Sequence, residues 1–179
     1  GVPGTVIGCD NRGGGRQAGE HLVGRGCRRV AFVGDASNAY PEFRERYRGL
    51  ADVLRANQLP LDPGLQVDTL SLEEGGYEAT QRLIARGVPF DAVFAASDLI
   101  ALGTLRALAR AGLDVPGDVR VVGFDDIPAA ALTHLPLTTV AQDYGRAGAT
   151  LVDTLISQIG NEPTEGQRLP TRLVVRASS

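Results

Sequence analysis

Polar side chains follow the short apolar runs of this sequence, at the points where those runs end. They are Asp10-Asn11, Asp35, Ser97-Asp98 and Asp125-Asp126. Three arginines at alternate positions, Arg44, Arg46 and Arg48, open the helical pattern that follows the second run. Carboxylates accept hydrogens from hydroxyl groups, and a guanidinium donates in a planar fork to adjacent oxygens. The set suits a neutral polyhydroxylated ligand and contains no evident nucleophile–base pair, so we expect a binding protein and not an enzyme.

Simpler structural roles are open for some of these residues. Ser97 and Asp98 can cap a helix that starts beside them, and Asp126 can face solvent or hold a loop. Because the arginines alternate, at most one or two of them face the same crevice. Asp125, directly after an apolar strand, is the residue that a structural role explains least easily.

A glycine-rich segment offers a different chemistry. Residues 13–18, GGGRQA, fit the G-x-G-x-x-G/A pattern of dinucleotide-binding sites, and Asp35 ends the next strand. Two features argue against it. Asp10, Asn11 and Arg12 separate the strand from the first glycine, and the Asp10 charge would lie near the pyrophosphate. A dinucleotide-binding enzyme domain is therefore the less favoured alternative, and we expect no cofactor.

Short β-branched runs alternate with helical patterns along most of the chain. Strands are predicted at residues 5–9, 29–34, 65–70, 92–96, 120–124, 138–140 and 173–176. Helices are predicted at 14–25, 73–86, 99–111 and 145–159, and around the amphipathic stripe Tyr47, Leu50, Ala51 and Leu54. Residues 128–136 are predicted as a loop and 161–167 as a polar turn.

The first five strands, with four helices between them, predict an α/β fold: a mostly parallel sheet with helices on both faces. In such sheets ligands bind outside the carboxyl ends of the strands, which is where the polar residues fall.

The composition excludes several classes of protein. The 179 residues, 43% hydrophobic and 22% charged, suit one globular domain or slightly more. A net charge of -3 argues against a nucleic-acid-binding face on this segment. No apolar run reaches the roughly 20 residues of a membrane helix. Cys9 and Cys27 are too far apart for a C-x-x-C motif, and His21 and His134 have no partners at metal-ligand spacing, so we expect no metal site.

Three long strings resemble the lactose/galactose repressor (LacI/GalR) family of bacterial transcription regulators. They are FDAVFAASDLIALGTLRALARAGLDVPGDVRVVGFDDIPAAALTHLPLTTVAQD at residues 90–143, GEHLVGRGCRRVAFVG at 19–34 and LPTRLVVRASS at 169–179. The resemblance covers essentially the whole chain and implies a periplasmic-binding-protein-like fold. Family members are two-lobed receptors that close on an effector and control operator binding allosterically.

The resemblance also implies how the chain divides and what it contacts. Residues 10–140 and 168–179 would form the C-terminal lobe, and residues 141–167 the crossover and a helix that returns toward the N-terminal lobe. Matched against the family, the chain lacks the helix-turn-helix head and most of the first lobe. We expect a cytoplasmic homodimer that binds a sugar or similar small metabolite, reaches operator DNA only through that head and has no membrane contact.

The same resemblance assigns effector contacts position by position. Arg46 matches the arginine of the family's R-x-x-G string, and Asp125 matches the first aspartate of its GFDD string. Ser97 matches a position often held by asparagine, and its shorter side chain weakens the case for direct contact. Gln142 matches a crossover residue near the cleft, and Tyr144 matches an aromatic that packs on the ligand.

Two points leave alternatives open. A stacking aromatic that the family often carries corresponds to Ser71, so this sequence lacks that platform or uses a neighbouring leucine. A sugar-binding receptor of a transport system shares the two-lobed fold and is the main alternative function. The ending LPTRLVVRASS favours the regulator.

Overall fold

The structure is a computed structural model that describes residues 5–37, 39–70 and 72–179. Its helices are α1 (Asn11–Gly24), α2 (Pro41–Ala56), α3 (Glu73–Ala85), α4 (Asp98–Arg110), α5 (Pro128–Leu132) and α6 (Tyr144–Ile159). Its strands are β1 (Ile7–Cys9), β2 (Val30–Val33), β3 (Gln66–Val67), β4 (Ala92–Ala95), β5 (Arg120–Asp125), β6 (Thr138–Gln142), β7 (Gln167–Leu169) and β8 (Thr171–Val174). Most boundaries lie within a few residues of those that the sequence predicts.

Six strands form a central sheet in the order β3-β2-β4-β5-β6-β8. The pairings from β3 to β6 are parallel, and β8 runs antiparallel to β6 at the edge. Every residue of β2 and β4 is buried, as in a parallel sheet that helices cover on both faces. The predicted fold class, α/β with a mostly parallel sheet, is confirmed.

The connections place the helices on opposite faces of this sheet. The crossover from β2 to β3 runs one way along the sheet, whereas those from β3 to β4 and from β4 to β5 run the other way. Right-handed crossovers therefore put α2 on one face and both α3 and α4 on the other. The helix α1 packs against α2, and α3 packs against α4.

Glycines allow α1 and α2 to approach with their backbones in contact. A Cβ atom at Gly15 would overlap the carbonyl oxygen of Arg46, and one at Gly49 would overlap that of Arg12. Any larger residue at either position would push the helices apart. The close approach therefore fixes where the Arg46 backbone lies above the sheet.

The same glycines argue against a nucleotide site. The helix α1 begins at Asn11, so the three glycines at positions 13–15 lie inside it, and Gly14 and Gly15 are buried by packing. A dinucleotide fingerprint instead places its glycines in an open turn where backbone amides meet the phosphates. The match to that pattern reflects helix packing.

Three predictions about the elements are wrong. Residues 5–9 do not start the central sheet, because β1 pairs in parallel with β7 as a separate two-stranded sheet. The predicted polar turn at 161–167 ends one residue earlier, because Gln167 begins β7, a strand that the sequence did not predict; the predicted loop at 128–136 contains the short helix α5. A proline at the first position favours α5, since it lacks only an amide that the helix cannot use there.

The segment after β8 closes the sheet at the amino ends of two strands. Ser178 is fully buried between the starts of β5 and β6. Its hydroxyl donates to the Val121 carbonyl at 2.7 Å and accepts from the Thr138 amide at 2.8 Å. The Val121 amide donates to the Ser178 carbonyl at 2.8 Å.

Within the described ranges, no helix combines the length and the apolar character needed to cross a bilayer.

Candidate functional site

Side chains from α2, β5 and β6 meet at the carboxyl ends of the central strands. Asp125 ends β5 and Gln142 ends the neighbouring β6. The Gln142 amide nitrogen donates to the Asp125 Oδ1 atom at 2.6 Å, and Arg46 Nη1 lies 3.4 Å from the same oxygen. Three of the five residues predicted to bind the effector are thus in contact: Arg46 and Gln142 both lie against the Asp125 carboxylate.

Arg46 is held on several sides although it carries a full charge. Its side chain is 5% exposed, and the carbon of its guanidinium lies 3.6 Å from the centre of the Phe124 ring. Its Nη1 atom donates to the Ala96 carbonyl at 2.6 Å, and its Nε atom donates to Asn11 Oδ1 at 2.8 Å. Burial lowers the pKa of Arg46, and the nearby Asp125 charge opposes that effect. A guanidinium stacked and bonded in this way is oriented before any ligand arrives.

Asp125 lies in a turn with an unusual backbone. Its φ is +116° and that of Asp126 is +54°, values that residues other than glycine rarely adopt. Burial raises the pKa of Asp125, whereas Arg46 and the Gln142 hydrogen bond lower it. Strain of this kind persists where surrounding contacts hold it, and it concentrates at functional sites.

Asp98 supplies one of the contacts that hold this turn. The side chain is fully buried, and it accepts from the Ile127 amide at 2.9 Å and from the Thr139 hydroxyl at 2.5 Å. The sequence offers helix capping as the simpler role for Asp98, but Asp98 is the first residue of α4 and the cap is its neighbour. Burial raises the pKa of Asp98 to about 6, even though both hydrogen bonds lower it.

Ser97 is the N-cap of α4, the structural alternative that the sequence left open. Its hydroxyl accepts from the Ile100 amide at 3.4 Å, and the residue is 1% exposed. The predicted effector contact therefore requires a ligand that reaches a buried hydroxyl already engaged in capping.

Tyr144 is the most accessible of the five predicted residues. It is the first residue of α6, directly after the cap Asp143, and it is 57% exposed. Burial of its hydroxyl, aided by the Asp125 charge, raises the pKa of Tyr144 to about 12. The phenol is therefore a hydrogen-bond donor at neutral pH, on a ring with an open face.

The sequence analysis placed Asn11 among the polar residues at the strand ends but predicted no contact for it, and it missed Cys9 as part of this site. The Asn11 side chain accepts from Arg46 and also from the Cys9 thiol at 3.3 Å. Burial raises the pKa of Cys9, and the Arg46 charge opposes the rise. The signal was present, because Asn11 directly follows the rim residue Asp10, but nothing in the sequence brings it near Arg46.

The remaining rim residues have local partners. Asp10 caps α1 by accepting from the Gly13 amide at 2.9 Å, and Asp35 accepts from the Ser37 amide at 2.7 Å. Asp126 pairs with Arg176 at 2.6 Å. Ser71, the position of the expected stacking aromatic, lies outside the described residues.

Two concave surfaces flank the predicted binding residues. One, of about 550 Å³, is lined by Cys9 and Asn11 together with residues of α2 and β7. The other, of about 460 Å³, is lined by Gln142 and Tyr144 together with Arg172. Both volumes fall in the range of small-molecule sites. Taken together, the rim presents a buried fork of donors, a carboxylate acceptor, an amide and an exposed aromatic ring, which bind hydroxyl groups and include no activated nucleophile.

Comparison with known proteins gives a consistent result. Residues 20–179 match the periplasmic binding protein-like domain family. The chain is 37% identical over 176 residues to the HTH-type transcriptional regulator CelR of Thermobifida fusca, covering 97% of this chain and 52% of that protein. The chain spans about half the length of the curated relatives it matches.

Solved structures agree. A transcriptional regulator CelR–cellobiose complex superimposes with a TM-score of 0.90 at 37% identity, covering 100% of this chain and 56% of that one. A LacI family regulator from Enterococcus faecium with bound ribose gives 0.90 at 30% identity, covering 98% and 65%.

The mostly parallel central sheet, the separate β1–β7 pair and the family match together define the class: this is a periplasmic-binding-protein-like domain. Within that class, the chain belongs to the LacI family of transcriptional regulators, as its three long strings predict. The relatives in these comparisons are regulators of transcription and not enzymes.

Proposed function

We propose that this chain is the effector-sensing region of a bacterial transcription regulator whose operator binding changes when a small polyhydroxylated molecule binds. The observation that carries the proposal is the group formed by Arg46, Asp125 and Gln142 around one carboxylate oxygen. Charged and amide groups at the carboxyl ends of parallel strands can hydrogen-bond to the hydroxyl groups of a sugar and hold it without a chemical reaction. No catalytic role is assigned to the chain, and no cofactor is required.

The effector class is a sugar or a related metabolite. Two structural neighbours bind cellobiose and ribose, as their names state. In the described contacts, Arg46 uses Nε and Nη1, and we propose that Nη2 donates to a hydroxyl group of the ligand. We assign Arg46, Asp125, Gln142 and Tyr144 to effector contacts, with Ser97 as a cap that a ligand reaches only indirectly.

Two features of the structure support the division of the chain into lobes that we propose. Residues 10–140 and 168–179 hold the central sheet, apart from the last two residues of β6, and we assign them to the C-terminal lobe. Residues 141–167 hold the crossover and α6, a helix of sixteen residues none of which is buried. Its apolar residues are largely exposed, with Ile159 76% exposed. We propose that the first lobe covers this face in the full-length protein.

Partners and location follow from the family. We propose a cytoplasmic homodimer that contacts operator DNA through a separate helix-turn-helix head. A groove of about 640 Å³ on the outer side of α4, lined by Leu102, Leu105, Leu113, Val115 and Leu135, offers an apolar surface for the second copy. A sugar receptor of a transport system is the competing function, and the gene distinguishes them: a signal peptide upstream indicates a receptor, a helix-turn-helix a regulator.

The experiment that tests the proposal is a thermal-shift screen of the full-length protein with cellobiose, ribose, other mono- and disaccharides, nucleosides and purines. A bound molecule stabilises the folded state by mass action, so a hit identifies the chemical class. Asp125→Ala should abolish the shift, with Asp126→Ala as the matched control one residue away. Equal shifts in both variants would contradict the site, and a hit only among purines would contradict the sugar class.

A further inference from the structure

One hydrogen bond, from Arg46 to Asn11, joins the proposed effector site to the end of the β1–β7 pair. In the division proposed above, this pair lies at the boundary of the C-terminal lobe. Asn11 accepts from Arg46 Nε at 2.8 Å, and it follows β1 by only two residues. The Asn11 oxygen also accepts from the Cys9 thiol at 3.3 Å, inside β1 itself. Asn11 therefore contacts both the cationic group of the site and the crossover backbone.

Two donor atoms hold the Arg46 guanidinium: Nη1 contacts both the Ala96 carbonyl and Asp125, whereas Nε contacts Asn11. The guanidinium carbon also lies over the Phe124 ring, 3.6 Å from its centre, a contact that has no directional hydrogen bond. The bond from Nη1 to the Ala96 carbonyl provides one fixed point, and the bond from Nε to Asn11 provides the second. When both Nη1 and Nε are held, the direction of Nη2 is fixed. When the bond to Asn11 is lost, the guanidinium can turn about the contact at Nη1.

The crossover side of this link is equally short. The amide of Asp10, between Cys9 and Asn11, donates to the Leu169 carbonyl of β7 at 2.8 Å. The segments β1 and β7 pair in parallel over three residues each. A displacement of Arg46 must therefore break its bond to Asn11 or move the β1–β7 pair.

We propose that Asn11 is a positioning residue with two effects: it aims the Arg46 guanidinium at the effector, and it passes the displacement of Arg46 on binding to the β1–β7 pair. The proposal rests on the proposed function, since it concerns regulation at the same site. Coupling of this kind needs a physical element that both ends bias, and we assign that part to the β1–β7 pair.

The first effect is measured without any ligand, by NMR of the full-length protein. The Arg46 Nε–H resonance is assigned by its loss in Arg46→Lys. It should be distinct and slow to exchange in the wild type and in Asn11→Asp, which keeps an acceptor. In Asn11→Ala it should exchange rapidly. Asn57→Ala, which removes an amide bonded to Val53 at the far end of α2, is the matched control and should resemble the wild type. An unchanged resonance in Asn11→Ala overturns the proposal.

The second effect is measured with cellobiose and ribose as probes, by titration calorimetry and hydrogen exchange. Asn11→Ala should weaken binding about tenfold or more, because the Arg46 guanidinium, no longer held in place by Asn11, has to be ordered when the ligand binds. At equal saturation, exchange at residues 7–10 and 167–169 should respond to the sugar in the wild type and in Asn11→Asp, but not in Asn11→Ala.

The outcomes separate the two proposals. If neither probe nor any molecule of the screen binds the wild type, the proposed function fails and the coupling fails with it, while the NMR comparison still decides whether Asn11 positions Arg46. If the wild type responds and Asn11→Ala responds equally, the proposed function stands and the role of Asn11 is refuted.

Discussion

Replacing Asp98 by asparagine should change how the stability of the protein depends on pH. The carboxylate is fully buried, and burial raises its pKa to about 6 from an ordinary value of 3.8. Well below pH 3.8 the Asp98 carboxyl is protonated in both the folded and the unfolded chain. The tighter proton binding of the folded state then contributes its full amount to the free energy of unfolding. As the pH rises through about 6, the folded protein loses a proton that it binds more tightly than the unfolded chain, and that contribution is lost.

The size of the effect follows from the two pKa values. Each tenfold change in proton affinity is worth about 1.36 kcal/mol, so the rise to about 6 corresponds to about 3 kcal/mol. Asparagine has nearly the same shape and stays neutral. Its oxygen accepts from the Ile127 amide as the carboxylate does, and its amino group donates to the Thr139 oxygen. The variant should thus avoid the cost of a buried charge while it keeps both contacts.

Urea unfolding of wild type and Asp98→Asn, followed by circular dichroism from pH 4 to pH 8, measures this difference. Taking the difference between the two proteins removes the contribution of every other titrating group. The stability of Asp98→Asn relative to the wild type should rise by about 2.4 kcal/mol across this range, mostly between pH 4 and pH 6, because the rest of the total of about 3 kcal/mol is lost below pH 4. A difference that stays constant with pH, or one that falls, refutes the reasoning.

Three further predictions concern packing and binding. Gly15→Ala should destabilise the protein by about 1–3 kcal/mol in urea unfolding, because the added Cβ meets the Arg46 carbonyl. Gly24 lies in the same helix with open space around it, so Gly24→Ala should be neutral or stabilising. Equal effects of the two substitutions would contradict the contact between α1 and α2. Arg46→Lys should weaken binding of any sugar found in the screen by about tenfold or more in calorimetry, because an ammonium cannot donate as a fork, and unchanged affinity would remove Arg46 from the site. Ile159→Asp should lower the melting temperature of the full-length protein if α6 is covered there; an exposed position would change stability by no more than about 0.5 kcal/mol.

The sequence predicts the central sheet well because its strands are buried on both faces. The segments VAFVG, at residues 30–34, and AVFAA, at residues 92–96, are apolar at every position, a pattern typical of strands that are covered on both faces. The short strands β1 and β7 are half exposed, and they pair across more than 150 residues. Neither their periodicity nor their composition distinguishes them from turns, so the sequence placed β1 in the wrong sheet.

The candidate site divides in the same way. Arg46 and Asp125 stand out in sequence because strings around them match the family, and the structure brings them together. The role of Asp98 is decided by the Ile127 amide and by the Thr139 hydroxyl, which lies 41 positions away. Asn11 contacts Arg46 across 35 positions. Such long-range hydrogen bonds depend on tertiary packing, and no local pattern encodes them.

The contacts of Ser178 have a consequence for co-translational folding, because this residue is synthesised long after the strands that it joins. Synthesis delivers Val121 of β5 57 residues before Ser178, and Thr138 of β6 40 residues before it. Until Ser178 emerges, the amides at the starts of those two strands must bond to water or to a temporary partner. Long-range closure of this type comes late in folding, and unpaired strand ends attract other chains. A nascent lobe that stalls before residue 178 therefore leaves the starts of β5 and β6 open to pairing with other chains.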